Sequence, residues 1–297
     1  MYRRSQLGLI LAALVLAAAS GALAAPRAVL VGTYEATATA EGFGGLSALE
    51  VTADGEGFIA LSDSARLFRG RFRRDGAGAV IGITLDGPGA DLTGPGGAAL
   101  GGLQDDSEGM ALGPDGQLWI SFELVNRVAR YDRDGNFMAE LPGFPAFDAI
   151  ENDGLEALAM APDGALYTMP EGPGRGVRSF PVWRYADGGW SEAFRLPEDR
   201  HWRPVGADFG PDARLYILER DLWGLVGFRS RLRRITLADG QPALDEVLLE
   251  SRAGAFGNLE GLSVWRDAAG ALRATLVADD NFLPVMSTEF VEVRIEE

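Results

Sequence analysis

The 297-residue chain contains no cysteine, no lysine and a single histidine, His201. Without thiols, thiolate nucleophiles, disulfides and zinc-thiolate sites are all excluded. One imidazole removes most histidine chemistry as well. The 27 basic residues are therefore all arginine, and against 43 acids they leave a net charge of −16. Such a field repels nucleic-acid phosphates, so nucleic acid is excluded as a partner. Sustained helical periodicity is also absent beyond the first 24 residues, which disfavours an alternating α/β fold. What remains is carboxylates, guanidiniums, hydroxyls and amides, a donor set suited to hard cations.

A hydrophobic fraction of 47% with 24% charged residues is globular, sufficient for one large domain or two small ones. Forty glycines and fifteen prolines point to many tight turns. Residues 1–24 read as an export signal. Arg3 and Arg4 lead an apolar run over residues 7–16 that is too short to span a bilayer, and Ala22-Leu23-Ala24 supplies the small-residue cleavage pattern. The Arg3-Arg4 pair leaves both the twin-arginine and the ordinary secretory route open, since Gln6 stands where the former usually has a bulky apolar residue. The expected mature domain is residues 25–297, periplasmic or secreted, with no further membrane span.

One unit recurs along that domain: a short apolar strand, a Pro-Asp-Gly type turn (Asp267 to Gly270 in the last copy), a second apolar strand, then an acid. The turn aspartates are Asp54, Asp115, Asp163, Asp212 and Asp267. Their spacing of about fifty residues is near the blade length of a β-propeller. Further alternating runs at 66–74, 127–132, 182–185, 231–237 and 290–295 let each copy fill a four-stranded blade. The fifth copy runs out of chain after about three strands, and residues 28–34 form an orphan strand. Together these ends complete one blade and close the ring without exposed edges. Five blades follow from counting, while the glycine-rich stretch at 87–102 leaves room for a sixth.

In a hairpin, positions symmetric about the turn become cross-strand neighbours. Glu108 and Glu123 are symmetric about Asp115-Gly116, and Glu156 and Glu171 about Asp163-Gly164; Asp208 with Glu219 and Glu260 with Asp279 fall approximately in the same relation. With the first strand of each blade lining the channel, these acids and Asp63 are expected at one mouth. Crowded carboxylates cannot all ionise without a counter-charge. Calcium supplies one, with amide oxygens from Asn152, Asn258 and Asn281 as additional donors, and Arg220 is the internal cation. The structural alternative is that the acids cap blades and pair with arginines.

Other motifs carry less. Asp132-Arg133-Asp134-Gly135 opens like a calcium loop but has Gly143 where the bidentate acid belongs, and so reads as a hairpin turn. No Gly-x-Ser-x-Gly elbow is present, and His201 lies in a polar run. Trp202 and Trp223 lie near the expected mouth; the tryptophans in general read as packing between blades.

The phrases Asp106-Ser107-Glu108-Gly109, Asn152-Asp153-Gly154-Leu155-Glu156-Ala157, Glu219-Arg220, Asn258-Leu259-Glu260-Gly261 and Asp279-Asp280-Asn281-Phe282 resemble the phytase-like, esterase-like-activity-of-phytase family from about residue 44 to the C-terminus. The resemblance implies a propeller with acidic site residues and esterase or phosphoesterase chemistry. It supports site roles for Glu108, Glu156, Glu219, Arg220, Glu260, Asp279 and Asn281. Ser47, standing where other copies have Glu108 and Glu156, departs from the pattern. The expected chemistry is calcium-assisted hydrolysis of a small-molecule ester or phosphoester, with Glu156, Glu260 and Arg220 catalytic and Glu108, Glu123, Glu171, Glu219, Asp279 and Asn281 holding the metal. With few arginines at the expected mouth and no lysine, a phosphodiester, phosphomonoester or lactone fits better than phytate. The alternatives are a calcium-dependent lactonase and a non-catalytic, calcium-stabilised binding propeller.

Overall fold

Alternating apolar residues in short runs between glycine turns make strands that each bury one face, and here they build five antiparallel sheets arranged around an axis. The computed structural model describes residues 25–36, 40–150, 154–174 and 176–297. The expected signal segment and Asn152 lie outside the described residues. Blade 1 comprises Leu46–Val51, Gly57–Ser62, Arg66–Arg74 and Val80–Leu85. Blade 2 comprises Ser107–Leu112, Leu118–Phe122, Arg127–Tyr131 and Phe137–Glu140. Blade 3 runs through Leu155–Met160, Leu166–Pro170, Ser179–Ala186 and Gly189–Pro197. Blade 4 has Arg203–Phe209, Leu215–Leu222, Phe228–Ala238 and Gln241–Glu250. Blade 5 has Asn258–Arg266, Leu272–Asp279 and Glu289–Glu296, and its outer strand is the N-terminal Arg27–Glu35.

The count is therefore five. The stretch at 87–102 adds no blade: Ala90–Asp91 pairs back onto Arg66 and Leu67 at the edge of blade 1, a single bridge joins Thr93 to Ala99, and Pro95–Gly97 is a short 3-10 turn of helix. Chain ends meet as expected, because Arg27–Glu35 pairs antiparallel with Glu289–Glu296 along its length. This pairing removes the sheet edge that three strands would leave open. Asp132-Arg133-Asp134-Gly135 is a hairpin turn in which Asp132 Oδ1 accepts from the Asp134 and Asn136 N–H groups.

Five apolar clusters fill the five gaps between neighbouring blades. Trp183, Trp202 and Trp265 are buried, whereas Trp223 is exposed. First strands contact one another in ring order, the first of blade 5 meeting the first of blade 1. Their close approach explains the small residue after each mouth position. A Cβ on Gly109 would lie 2.6 Å from Glu156 O, and one on Gly261 would lie 3.0 Å from the Ala48 carbonyl carbon. In the Glu-Gly phrase the acid faces the channel and the glycine admits the next blade's backbone.

Closure of blade 5 against blade 1 also uses a buried ion pair. Arg74 Nη1 donates to Glu292 Oε2 at 2.7 Å and to Gly78 O, while its guanidinium lies 4.6 Å from the Trp265 ring centre. Burial raises the Glu292 carboxyl pKa, and Arg74 opposes that rise. Arg74→Met should destabilise the protein by about 3 kcal/mol near neutral pH, by stranding a buried carboxylate. The loss should shrink in acid, where Glu292 can be neutralised by a proton. Denaturant melts at two pH values check this.

Candidate functional site

Each blade begins with a register shift, and the shift builds the mouth. The break falls between Leu46 and Ala48, Ser107 and Met110, Leu155 and Ala157, Pro204 and Gly206, and Leu259 and Gly261. A β-bulge of this kind re-aims one side chain out of the pleat. The bulged positions are Ser47, Glu108, Glu156, Val205 and Glu260, one per blade. The residue following each cross-strand partner gives a second tier: Asp63, Glu123, Glu171, Arg220 and Asp279. Two five-membered rings therefore stand at one end of the channel, carboxylates at most positions, with one guanidinium in the outer ring.

Arg220 takes the outer-ring place that an acid occupies in the other blades, and from blade 4 it reaches blades 3 and 5. Its Nη2 donates to Glu171 Oε1 at 2.9 Å, and its Nη1 donates to Asn258 Oδ1 at 3.0 Å and to Glu260 Oε1. Asn258 Nδ2 donates to the same Glu260 oxygen at 2.8 Å. Burial alone would weaken the hold of Arg220 on its proton, but Glu260, Glu156 and Glu171 more than reverse this and raise its pKa. Arg220 is a permanent cation.

The opposite side of the mouth has no such cation within hydrogen-bond reach among the described residues. There Asp106, Glu108 and Glu123 each bring a carboxylate oxygen within 4.8 Å of the others. Glu123 Oε1 also accepts from Gly154 N–H at 3.3 Å, and a Cβ on Gly154 would lie 2.6 Å from Glu123 Cβ. Two oxygens bound on opposite sides of one calcium ion stand about 4.6–5.2 Å apart, twice the usual Ca–O distance. An all-oxygen triad of that span fits a hard divalent cation. Asp106 was not singled out as a ligand on sequence grounds, although it sits in the Asp106-Ser107-Glu108-Gly109 phrase.

Protonation reports the same crowding. Burial, then Glu156 and Glu260, push the Glu108 carboxyl well above its ordinary range. Glu156 is raised by burial in spite of Arg220, with Glu260 and Glu171 adding to the rise. Glu260 is pushed up to about 7 by burial, partly offset by Arg220. Asp63 rises to about 6 through burial and the nearby Asp279. Asp106, Glu123 and Asp279 are also raised, burial leading in each.

Three of the residues expected at the mouth, two acids and an amide, lie elsewhere or point away. Glu219 is buried behind the mouth, its two oxygens accepting from Arg231 Nε at 2.5 Å and Arg233 Nη1 at 2.7 Å. Strand alternation explains it: Arg220, one residue on, takes the channel-facing place. Asp208 pairs with Tyr216 in the register rather than with Glu219, and lies three residues beyond the bulge, about 10 Å down the channel. There it accepts from Val264 N–H at 2.6 Å, and burial raises its pKa to about 7. The fourth copy's bulged residue is Val205, seven residues before Asp212 as Glu108 is before Asp115. Asn281 is exposed at the rim, its N–H donating to Asp279 Oδ1 at 2.6 Å. Glu108, Glu123, Glu156, Glu171, Glu260, Asp279 and Arg220 do converge. His201 is exposed.

A five-bladed ring with an acidic, glycine-lined mouth defines the class of protein: an acidic-mouthed propeller. The chain belongs to the phytase-like family described as esterase-like activity of phytase, which it matches over residues 41–282. No curated protein matches by sequence. Among solved structures, it is similar to virginiamycin B lyase from Staphylococcus aureus, with 14% identity, a TM-score of 0.46, and coverage of 89% of this chain and 99% of that one. It is also similar to a gluconolactonase from Xanthomonas campestris, with 15% identity, a TM-score of 0.44, and coverage of 84% and 72%.

A carboxyl with a folded-state pKa raised above its unfolded value holds a proton that the unfolded chain has released, so stability falls as pH rises between the two. Asp63 and Glu260 titrate at about 6 and 7. Turn aspartates such as Asp163 and Asp267 have lowered pKa values and act oppositely in acid. The calcium-free protein should therefore be most stable near about pH 5 and melt at a lower temperature at pH 7. Millimolar calcium should remove that decline. Melting curves from pH 4 to 8, with and without calcium, check it; a flat profile without metal would contradict the crowded mouth.

Proposed function

We propose that this chain is an exported, calcium-assisted hydrolase of a small-molecule ester or phosphoester, with its reaction centre in the acidic mouth. The observation that carries the reading is the division of the mouth: a guanidinium neutralises the side of blades 3 to 5, while the compact Asp106, Glu108 and Glu123 triad is left for a cation. Membership of the esterase-like family agrees with it. The expected export signal supports a location outside the cytoplasm, where calcium is available. Among the described residues no helix is long and apolar enough to cross a membrane.

Asp106, Glu108 and Glu123 would hold the ion, which when bound offsets charge on the ester oxygen and polarises it toward attack. Glu156 stands in the inner ring beside Glu108, and no donor among the described residues engages its carboxylate by a hydrogen bond. A carboxyl held above its ordinary range is a stronger base than a free carboxylate and is suited to take a proton from attacking water, and Glu156 has that role. Glu260 is held by Arg220 and Asn258 and is the weaker base. Arg220 keeps Glu260 and Glu171 in place and contributes positive charge where negative charge develops. Water adds across the ester bond: its hydroxyl goes to the acyl or phosphoryl centre and its proton reaches the leaving oxygen.

The metal-stripped protein should melt higher with millimolar calcium, by about 2.7 kcal/mol of stability at 100-fold over the dissociation constant. The calcium form should turn over at least one of p-nitrophenyl phosphate, bis-p-nitrophenyl phosphate and a simple lactone. Glu156→Gln should lose about 10²–10⁴-fold in kcat with its melting temperature retained. A calcium-dependent rise with no turnover on any ester would replace the hydrolase with a binding propeller. Activity unchanged in Glu156→Gln would remove that residue from the site.

A further inference from the structure

The lip of the mouth carries an aromatic side chain in a conformation that L-residues avoid. Asn281 and Phe282 have φ values of 50° and 49°, two consecutive non-glycine residues in the left-handed region. A bulky residue there costs of order 1–3 kcal/mol and persists only where its surroundings impose it. Here the two carboxylates before it do so: Asp279 Oδ1 accepts from Asn281 N–H at 2.6 Å, and Asp280 Oδ1 accepts from Phe282 N–H at 3.0 Å. Asp280 is itself fixed by Gly45 N–H at 2.9 Å and Thr288 Oγ1 at 2.9 Å.

The constraint lays the Phe282 ring over blade 1. A Cβ on Gly45 would lie 2.6 Å from Phe282 Cζ and 2.8 Å from Asp63 Oδ1, so the glycine makes room for the ring beside a member of the outer carboxylate ring. Phe282 nevertheless remains 51% exposed. Core packing would have hidden it; this ring is instead held open at the edge of the site. The same loop exposes Leu283, and the neighbouring loop of blade 4 exposes Trp223, Leu225 and Val226. Isolated exposed apolar residues are ordinary, but a group on adjacent loops at one rim marks a contact surface. Among the described residues, the one cation of the two rings, Arg220, is engaged by Glu171, Asn258 and Glu260. No other ring position carries a guanidinium to receive an anionic tail.

We propose that Phe282 is the specificity-determining wall of the mouth, and that the substrate is an amphiphilic ester whose uncharged alkyl or aryl group lies against Phe282 and the apolar rim of blades 4 and 5 while its ester enters the acidic mouth. This rests on the hydrolase reading above and narrows it to a substrate class: esters of apolar acids or alcohols, and not multiply charged phosphoesters. Burial of the group supplies affinity in proportion to its apolar area, up to about fourfold per fully buried methylene. Phe282 touches the group beside the reacting bond, not the reacting atoms.

The test uses the calcium-loaded mature protein with p-nitrophenyl acetate, butyrate and hexanoate as substrates. The corresponding neutral p-nitrophenyl alkyl ethers are titrated by calorimetry as uncleavable probes. Affinity for the ethers should rise about two- to fourfold per methylene, and kcat/KM should favour hexanoate over acetate through KM. Phe282→Asn keeps a residue that tolerates the left-handed backbone and removes the ring. It should melt near the parent temperature and lower the hexanoate-to-acetate ratio of kcat/KM about tenfold, while Phe282→Leu recovers most of that ratio. Equal kcat/KM for all chain lengths with length-independent ether binding would overturn the proposal while leaving the hydrolase intact. Length-dependent ether binding lost in Phe282→Asn, with no ester cleaved, would uphold the apolar wall and overturn the hydrolase. A ratio unchanged in Phe282→Asn would remove the residue from the wall.

Discussion

Like-charge repulsion inside the mouth is the constraint to which the rest of the molecule answers. Five inner strands meet at an axis, and the bulge at the head of each turns one side chain inward, three of them glutamates. Such a ring is costly unless something neutralises it. Arg220 does so for Glu171 and Glu260, and Asn258 shares the work by donating to Glu260. On the side of Asp106, Glu108 and Glu123 the repulsion is left standing. Stored repulsion of this kind is characteristic of sites built for a partner that is not part of the chain.

The scaffold that holds these charges together is assembled from apolar gaps and closed by a few polar contacts. Each inter-blade cluster is contributed by two blades, so no blade has a complete core of its own. Ring closure therefore couples all five. The N-terminal strand on blade 5, the buried Arg74 to Glu292 pair, and Asp280 reaching Gly45 across the seam all act at the same junction. Where the ring closes is also where the strained Asn281-Phe282 segment sits, so the closure that stabilises the fold is the one that shapes the lip of the site.

Much of this was legible in the residues. The recurring turn aspartates announced a propeller, the truncated fifth copy and the orphan strand at 28–34 announced how it closes, and hairpin symmetry about Asp115 and Asp163 put Glu108, Glu123, Glu156 and Glu171 at one end, although the bulges set Glu123 opposite Asp106 and Glu171 opposite Gly154. Asp208 and Glu219 were harder, because hairpin symmetry says which residues are opposite but not which face they take. A shift of one position separates Glu219, locked by Arg231 and Arg233, from Arg220 in the mouth. Counting back seven residues from Asp212 would have found Val205 in place of Asp208. The five-blade count needed the structure, since glycine-rich chain at 87–102 is compatible with strands or turns alike.

By itself the sequence determined the class of fold, the inventory of oxygen donors and the absence of any thiol centre, because composition and periodicity depend only on neighbours along the chain. Tertiary structure decided which acids face one another, that Asp106 completes a triad with Glu108 and Glu123, and that Arg220 spends its charge on Glu171 and Glu260. Those choices depend on bulges and on the packing of separate blades around one axis. Contacts between separate blades leave no trace in local pattern, and the hold of Arg220 on Glu171 and Glu260 is made of such contacts.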